Sequence, residues 1–523
     1  MSKLSSIRLL LSTGIGIASA VLVAFTVSTL SNPLLDHHGF RQTQTAVNVY
    51  SIALEGAFPD YLTPVLGAPW SIPFEAPIYQ AVVAAIVSLT GADLEAVGKL
   101  FSLACFAGAI VFGSRIVKWI LPSDHYASSL FLLLGLISPL YLFWSRTFMI
   151  ETCAVFFSMT WFFCAIRSLD SRRLVWLGAG VPLCVLAALT KVTTLVSFVA
   201  AYAACATWRY MQTRSVDIRS VLIQVVGVLV AFVAMAAWTH HADTLKLTSP
   251  FGDELTSTAL TRWNFGTWSQ LLSIRFYYVL LSRMLPDILG YSWPILIVCI
   301  WFIRGDHLRI AIILLCGILF SVPIVIFTNI HMIHDYYQVA NGVFLVAGAA
   351  FLLSGLIAIN RPWSAALALM CIIIGSQTRF FLHHWPLTAG VTRHPSYVAG
   401  TLVNRATDPH SSMIVFGVDW SSEIHYYAQR KGVALPSWSS IEKTKRLLDA
   451  PDQWMGGHRL ASVVDCRRPY TMPPKVADMK LQQLPEHQVV EVDRIIKQFL
   501  GDWTKDARLI SDESNQNCLV YVK

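Results

Sequence analysis

Long apolar runs separated by short polar segments dominate the chain. Runs that reach or approach the ~20 residues needed to cross a bilayer occur at 9–30, 96–119, 127–144, 148–166, 174–189, 192–208, 219–238, 286–303, 308–327, 337–358 and 362–378. Composition agrees with this pattern, because 55% of the 523 residues are hydrophobic and only 13% are charged. The pattern predicts a polytopic α-helical membrane protein with about 11 transmembrane helices.

One further apolar run decides the predicted topology. The stretch "APIYQAVVAAIVSLTG" at 76–91 is short and contains a proline and a terminal glycine. If it does not span and the N terminus is cytoplasmic, the basic clusters between spans all fall on the cytoplasmic side, as the positive-inside rule requires. These clusters contain Lys3, Arg8, Arg115, Lys118, Arg167, Arg172, Arg173, Arg209, Arg214, Arg219, Arg304, Arg309 and Arg361. We therefore predict an interfacial or re-entrant helix at 76–91.

The C-terminal region from about residue 380 changes composition sharply. The stretch at 410–435 predicts an apolar strand, a polar turn and an amphipathic helix, and "HRLASVVDCRRPY" and "NQNCLVYVK" predict further strands. We predict a transmembrane domain at 1–380, with an outer loop at 31–95, and a small α/β extracytoplasmic domain at 381–523. The tail contains Cys466 and Cys518, which could form a disulfide outside the cytoplasm.

The net charge of +8 does not indicate a nucleic-acid partner. The positive residues fall in short clusters between the apolar runs, and the sequence has no basic patch with interleaved aromatic residues. Membrane lipids are the expected partners instead.

The first outer loop concentrates ionisable side chains in a chain that has few of them. Asp36, His37, His38 and Arg41 occur within six residues, just beyond the first apolar run. Asp36 could cap a helix that begins near Arg41. It could also act as a general base for an acceptor hydroxyl or amine.

Two other acidic residues lie at predicted membrane boundaries. Glu75 precedes the short helix, where it could simply interact with the helix dipole. Glu151 lies about one turn into the fourth apolar run, where a carboxylate is costly and indicates function. Pairing with Arg146 is the structural alternative for Glu151.

The remaining candidates are cations and aromatic residues that the topology places on the outer face. Arg146, Lys191, Arg262, Arg275 and Arg283 could bind a lipid phosphate. The stretch "NIHMIHDYYQ" adds His331, His334, Tyr336 and Tyr337 as candidate substrate-binding residues. No cofactor is required by the pattern. A divalent metal is left open, with Glu75 and His334 as candidate ligands.

Several stretches resemble the GT-C glycosyltransferases of the protein O-mannosyltransferase and aminoarabinose-transferase type. "DHHGFRQTQTAVNVYSIALEG" resembles their first outer loop, "SRTFMIETCAVFF" their second acidic loop, and "HDYYQVANGVFLVAGAA" their late His-x-Tyr-Tyr turn. "FEAPIYQAVVAAIVSLTGADLEAVGKLFS" resembles the segment between the first outer loop and the second span, and "DWSSEIHYYAQRKG" the appended outer domain. The likeness runs over most of the chain in matching order.

This resemblance implies inverting sugar transfer from a polyprenyl-phosphate donor to a lipid A, O-antigen, other glycan or protein acceptor. Asp36 matches the loop base, Glu151 the second acidic position, and Glu75 the acid before a Lys-Pro-Pro motif. The chain departs from the aminoarabinose branch at His37, where that branch has a second acid, and at Ala76, where it has lysine.

Two other functions stay open at the level of sequence. One is a transporter or flippase for lipid-linked sugars, and the other is a glycan ligase or polymerase that uses a diphosphate-linked donor. In all three cases the expected location is the cell inner membrane, with a cytoplasmic N terminus and a periplasmic or extracellular C-terminal domain.

Overall fold

The computed structural model describes residues 3–170, 174–214, 217–359, 363–385, 393–467, 485–510 and 518–523. Arg172, Arg173 and Arg361, which contribute to the predicted charge asymmetry, lie outside these residues. Within them, 8 helical segments are long and apolar enough to cross a membrane. The chain is a multi-pass membrane protein.

The described chain forms two compact units, each built from separate stretches of sequence. The helical unit comprises Met1–Leu30, Gly98–Trp238 and Asn264–Leu387. The mixed unit comprises Ser31–Val97, Thr239–Trp263 and Thr388–Lys523.

The helices of the chain up to residue 384 are mostly apolar, and many are long. In chain order they are α1 Lys3–Ser28, α2 Gly39–Glu55, α3 Ile78–Thr90, α4 Leu94–Ile120, α5 Ala127–Ile137, α6 Pro139–Trp144, α7 Glu151–Asp170, α8 Leu174–Thr213, α9 Ile218–Lys246, α10 Thr261–Phe265, α11 Trp268–Leu271, α12 Ile274–Leu289, α13 Trp293–Ile300, α14 His307–Ile326, α15 Thr328–Ile333, α16 Gln338–Ala358 and α17 Trp363–His384.

Helix α8 contains two of the predicted spans. Its backbone leaves the helical region at Lys191, where φ is −169° and ψ is 95°. A straight helix of 40 residues would be about 60 Å long, yet Trp176 and Trp208, near its opposite ends, line one cavity. The chain therefore reverses at Lys191, and α8 is a helical hairpin. Each arm is long enough to cross most of a bilayer, as the runs 174–189 and 192–208 predict.

Other predicted runs have different helical limits. Helix α3 has 13 residues, about 20 Å, which is short of the ~30 Å hydrocarbon core and agrees with a non-spanning helix. The run 286–303 belongs to a longer candidate span, Ile274–Ile303. Arg275 and Arg283 therefore lie on helix α12 and not in the predicted loop. The sequence pattern missed the first half of this helix because it is amphipathic and has no continuous apolar run. The number of spans stays a prediction.

The mixed unit contains a five-stranded sheet in the order β2-β1-β3-β5-β4. The strands are β1 Ser412–Phe416, β2 Lys431–Ala434, β3 Leu460–Asp465, β4 Arg508–Leu509 and β5 Leu519–Val522, and the helices are α18 Pro395–Ala406, α19 Glu423–Ala428, α20 Ile441–Asp449 and α21 Glu486–Trp503. β1 is parallel to β2 and β3, whereas β5 is antiparallel to β3 and β4. The predicted C-terminal α/β region is therefore present.

Side chains alternate across strand β1, so that both faces of the sheet are buried. Met413 and Val415 pack beneath α18 and α19. Ile414 and Phe416 pack with α20 and α21, and also with Val65, Leu66, Ile72 and Phe251 from upstream of the tail.

The first outer loop also covers the β2 edge of the sheet. The N–H groups of Gly432 and Ala434 donate to the carbonyls of Pro64 and Val65. Edge coverage of this kind protects a strand from unwanted pairing. Two upstream segments thus complete the C-terminal fold, and the boundary between residues 380 and 381 stays a prediction.

Cys466 and Cys518 are joined by a disulfide, across a sequence separation of 52 residues. It connects the end of β3 to the start of β5, and both cysteines are buried in the core beside Val464 and Val520. The other cysteines of the described chain are free.

Candidate functional site

Asp36 is held in a network of polar groups at the start of the mixed unit. Its Oδ1 atom accepts a hydrogen bond from Gln42 Nε2 at 2.6 Å and another from the His37 backbone N–H at 2.9 Å. Gln42, which is 1% exposed, also donates to the His37 carbonyl. Helix α2 begins at Gly39 with His38 as its N-cap residue. Asp36 therefore does not occupy the capping position.

Arg41 and Glu75 form an ion pair next to this network. Arg41 Nη2 lies 2.8 and 3.0 Å from the two Glu75 carboxylate oxygens, and Nη1 donates to Gln44 Oε1 at 2.6 Å. Tyr61 donates to the Glu75 backbone carbonyl at 3.0 Å. Burial, followed by the Glu75 charge, raises the pKa of the Tyr61 phenol, which therefore stays protonated. The network fixes the backbone and the carboxylate of Glu75.

Lys246 is a buried cation that the sequence pattern did not indicate. It is the last residue of α9 and is 3% exposed. Its ammonium lies 4.5 Å from the centroid of the Phe74 ring and 3.1 Å from Asp243 Oδ1. Its position next to Phe74 places a positive charge beside the Arg41–Glu75 pair. A prediction limited to loop residues misses it, because Lys246 ends an apolar helix.

The helical unit holds a second acidic cluster, centred on an ion pair between Glu151 and Lys191. Lys191 Nζ lies 2.6 Å from Glu151 Oε1, and the two side chains are 4% and 6% exposed. Glu151 begins α7, and Lys191 is the residue at which α8 reverses. Glu151 pairs with Lys191 and not with Arg146, so the alternative pairing is wrong. The reversal of α8 brings Lys191 into contact with Glu151, although the two residues are far apart in sequence.

One of the two carboxylate oxygens of Glu151 accepts no hydrogen bond from the described residues. Glu151 Oε2 is buried and has no hydrogen-bond partner among the described residues. Lys191 Nζ also lies over the rings of Tyr337 and Tyr336, 3.9 and 5.2 Å from their centroids.

The turn around 331–337 packs beside the ion pair. Arg283 donates to the carbonyls of His331 and Met332 at 2.6 and 2.9 Å, and His334 stacks on Tyr336. Burial, and then the charges of Lys191 and Arg283, lower the pKa of His331 to about 3. His331 is therefore neutral at physiological pH.

The other predicted cations differ in their surroundings. Arg146 is 2% exposed, and its guanidinium lies over the rings of Phe25 and Phe143, at 4.6 and 4.8 Å from their centroids. Arg262 and Arg275 are exposed and form no ion pair within the part of the chain that the structure describes. Of the five predicted outer cations, these two are the most accessible to a phosphate group.

The structure brings the predicted residues together in two groups. Within the mixed unit, Asp36, His37, His38, Arg41 and Glu75 are neighbours, and the rings of His37 and His38 contact edge to face at 4.6 Å. Within the helical unit, a second group contains Glu151, Lys191, Arg283, His331, His334, Tyr336 and Tyr337. The predicted metal ligands Glu75 and His334 belong to different units, and a metal there stays a prediction.

Solved structures of membrane glycosyltransferases share the fold of this chain. ArnT from Cupriavidus metallidurans bound to undecaprenyl phosphate matches with a TM-score of 0.62 and 12% identity, over 97% of both chains. Its apo form matches with a TM-score of 0.59 and 13% identity, over 98% of both chains. The Archaeoglobus fulgidus oligosaccharyltransferase gives 0.50 and 12%, over 91% of this chain and 72% of that one.

The chain has a GT-C fold. The fold expected from the motif resemblance is therefore confirmed. No protein-family model matches the chain, and no curated protein matches it by sequence. The GT-C fold is thus recognised through structure and through short motifs, at identities too low to transfer residue roles.

Proposed function

We propose that the chain is an inverting glycosyltransferase. It transfers a sugar from a polyprenyl-phosphate donor to a cell-envelope acceptor on the outer face of the cytoplasmic membrane. The observation that carries this proposal is an oriented carboxylate in a GT-C fold: Gln42 holds Asp36, which lies eight residues beyond the end of α1 at Ser28. The similar ArnT structure is bound to undecaprenyl phosphate, which supports the choice of donor.

Asp36 is the proposed general base. An acceptor hydroxyl or amine attacks the anomeric carbon of the donor, and the bond between that carbon and the phosphate oxygen breaks. The acceptor proton passes to the Asp36 carboxylate, and polyprenyl phosphate leaves with the bonding electrons. A single displacement of this kind inverts the configuration at the anomeric carbon. The Gln42 hydrogen bond holds the carboxylate in one orientation, which general-base catalysis requires.

Within the helical unit, Glu151 is the acid that we propose for a role in the reaction. Its unpartnered Oε2 can accept a hydrogen bond from a sugar or acceptor group, while Lys191 holds Oε1 and balances the charge. Within the helical unit, Arg275 is the proposed contact for the donor phosphate, since Arg283 already donates to backbone carbonyls. Arg262 is the corresponding candidate within the mixed unit. Guanidinium groups suit this role because they bind phosphate oxygens in pairs.

The test uses the purified full chain in lipid nanodiscs, with labelled polyprenyl-monophosphate sugars and cell-envelope acceptors. Asp36→Asn should lower the transfer rate by about 10² to 10⁴, the usual loss when a general base is removed. The matched control is Asp60→Asn, which alters a carboxylate of the same loop that pairs instead with His241. It should transfer at the wild-type rate.

Three results would contradict the proposal. Wild-type transfer by Asp36→Asn would exclude this residue as the base. Consumption of diphosphate-linked donors alone would indicate a ligase or polymerase. Movement of lipid-linked sugar across vesicles without any transfer would indicate a flippase.

A further inference from the structure

A basic cavity lies at the end of the helical unit that is opposite to Glu151. It has a volume of about 670 Å³, and its lining includes Arg115, Lys118, Arg167, Trp176, Trp208 and Arg209. Helix α7 begins at Glu151 and ends at Asp170, which also lines the cavity. The 20 residues of α7 cover about 30 Å, the thickness of the hydrocarbon core. The cavity is therefore separate from the proposed catalytic cluster.

Positive charge is in excess within this cavity. Its only lining carboxylate among the described residues, Asp170, is occupied on both oxygens. Oδ1 lies 2.8 Å from Arg209 Nη2, and Oδ2 accepts a hydrogen bond from Trp119 Nε1 at 2.5 Å. Lys118 donates to the backbone carbonyls of Pro122 and Asp124.

Arg115 and Arg167 retain unused hydrogen-bonding capacity. Neither side chain forms an ion pair or a hydrogen bond with any residue in the described ranges, and Arg167 only contacts the face of Trp176, at 5.9 Å from the ring centroid. Two guanidinium groups therefore face the same cavity without a carboxylate of their own. An anion with several oxygens can satisfy both of them.

The aromatic lining indicates a lipid rather than a soluble anion. Trp119, Trp176 and Trp208 line the cavity beside the arginines, and the rings of Trp119 and Trp208 contact edge to face at 6.2 Å. Indole rings are typical of the headgroup level of a membrane, and basic pockets between transmembrane helices bind anionic headgroups there. The sequence pattern places this end of the helices on the cytoplasmic side.

We infer that this cavity binds the phosphate headgroup of an anionic glycerophospholipid, such as phosphatidylglycerol, in the leaflet opposite to the proposed active site. Arg115 and Arg167 contact the phosphate oxygens, and the tryptophans pack against the glycerol backbone. The site belongs to the helical hairpin and to α4 and α7. This inference is independent of the sugar-transfer proposal.

The test measures lipid binding to the delipidated full chain in neutral detergent. Native mass spectrometry counts bound phosphatidylglycerol or phosphatidylcholine, and thermal unfolding is followed with each lipid and with inorganic phosphate. We expect phosphatidylglycerol to bind and to raise the melting temperature, whereas phosphatidylcholine and phosphate should not. Equal effects of the two lipids, or a response to phosphate alone, would overturn the assignment.

The variant Arg115→Gln/Arg167→Gln should weaken phosphatidylglycerol binding by at least about tenfold, since it removes two charge-assisted contacts. The matched control is Arg8→Gln/Arg304→Gln. It removes two exposed arginines from the same predicted face, and Arg304 also stacks on a tryptophan, Trp301, at 4.3 Å. Unchanged binding in the cavity variant, or an equal loss in the control, would contradict the inference. The wild-type lipid comparison applies even if a variant fails to fold.

Discussion

At the scale of single residues, the pair of Glu151 and Lys191 combines a structural and a proposed chemical role. Removing either charge breaks a buried ion pair, which typically costs about 3 to 5 kcal/mol. Loss of activity in a single variant would therefore not distinguish misfolding from loss of chemistry. A double variant separates the two, because it removes both charges at once.

We predict that Glu151→Gln and Lys191→Met each lower the melting temperature and abolish transfer. The double variant Glu151→Gln/Lys191→Met should recover most of the lost stability and still not transfer sugar. Melting curves and transfer assays in the same nanodiscs check both statements. Activity in the double variant would show that the pair only supports the fold.

His425 gives a prediction about acid stability. It is 1% exposed, neither ring nitrogen has a hydrogen-bond partner among the described residues, and burial lowers its pKa to about 3. The unfolded chain takes up a proton near pH 6.5 and the folded chain does not, so stability falls as the pH drops from about 6.5 towards 3.

His425→Leu should remove this contribution. Between pH 7 and pH 5, wild type should lose about 2 kcal/mol more of its free energy of unfolding than this variant does. Denaturant unfolding monitored by tryptophan fluorescence at the two pH values checks the difference. His487→Leu, which changes an exposed histidine of helix α21, should keep the wild-type pH dependence. The prediction fails if both variants lose equal stability on acidification.

At the residue scale, the sequence singles out some charged residues as candidates but does not indicate which side chains hold them in place. Asp36 and Glu151 stand out because carboxylates are rare in an apolar chain. Gln42, which holds Asp36, has no such signal, and Lys99 is equally inconspicuous. Lys99 donates to the carbonyls of Thr29 and Leu30, near the end of α1. These contacts depend on tertiary packing, which a local pattern does not contain.

At the scale of elements, close packing between α4 and the segment before α7 depends on Gly98. A Cβ atom at Gly98 would lie 2.1 Å from the ring of Phe148, which is fully buried. The ring has no room to move aside in a packed interior. Glycine is therefore required at position 98 because the Phe148 ring leaves no room for a side chain, and not because of its backbone angles.

Gly98→Ala should destabilise the chain by about 1 to 3 kcal/mol through overpacking. Gly178→Ala is the matched control, because it also lies in an apolar helix, and a Cβ atom there meets no atom within 4 Å. Thermal unfolding in detergent measures both. Addition of Phe148→Leu to Gly98→Ala should restore part of the stability, and a failure to do so would argue against the steric explanation.

Prediction of elements agrees with the structure at runs such as 96–119 and 337–358, which correspond to the candidate spans Leu94–Ile120 and Asp335–Ala358. The run 127–144 predicts one span but is divided into α5 and α6, because Pro139 begins a new helix after Ser138. The prediction failed at 274–285, where Arg275 and Arg283 interrupt the apolar pattern although helix α12 continues through them. The sequence pattern also could not show that the loops containing Leu66 and Phe251 pack against the C-terminal sheet. Leu66 and Phe251 are ordinary apolar loop residues in sequence, and only the fold brings them into the core.

At the scale of the whole molecule, the disulfide between Cys466 and Cys518 links topology to stability. It closes a loop of 52 residues, for which chain entropy gives about 4 kcal/mol. Disulfides persist in oxidising compartments, so this bond agrees with the predicted extracytoplasmic tail. The predicted number of spans, about 11, requires that the N terminus and the C-terminal tail lie on opposite sides of the membrane.

Cys466→Ala/Cys518→Ala should lower the melting temperature of the oxidised protein and have no effect under full reduction. Cys371→Ala, which alters an exposed free cysteine, should leave the melting temperature unchanged in both conditions.

The predicted topology places Lys523 outside the cytoplasm. A reporter enzyme that works only outside the cytoplasm should therefore be active when it is fused after Lys523. A cytoplasmic signal would contradict the predicted topology.

Because α8 reverses at Lys191, the Glu151–Lys191 ion pair depends on the lengths of the helices as well as on the identities of the two residues. Helix α7 starts at one member of the ion pair, and the two arms of α8 meet at the other without an intervening loop. Inserting one alanine into either arm would rotate Lys191 by about 100° and shift it by about 1.5 Å relative to its packed helix. No flexible turn is present to absorb that change. Single-residue insertions and deletions in these two arms should therefore be far less tolerated than substitutions at the same lipid-facing positions.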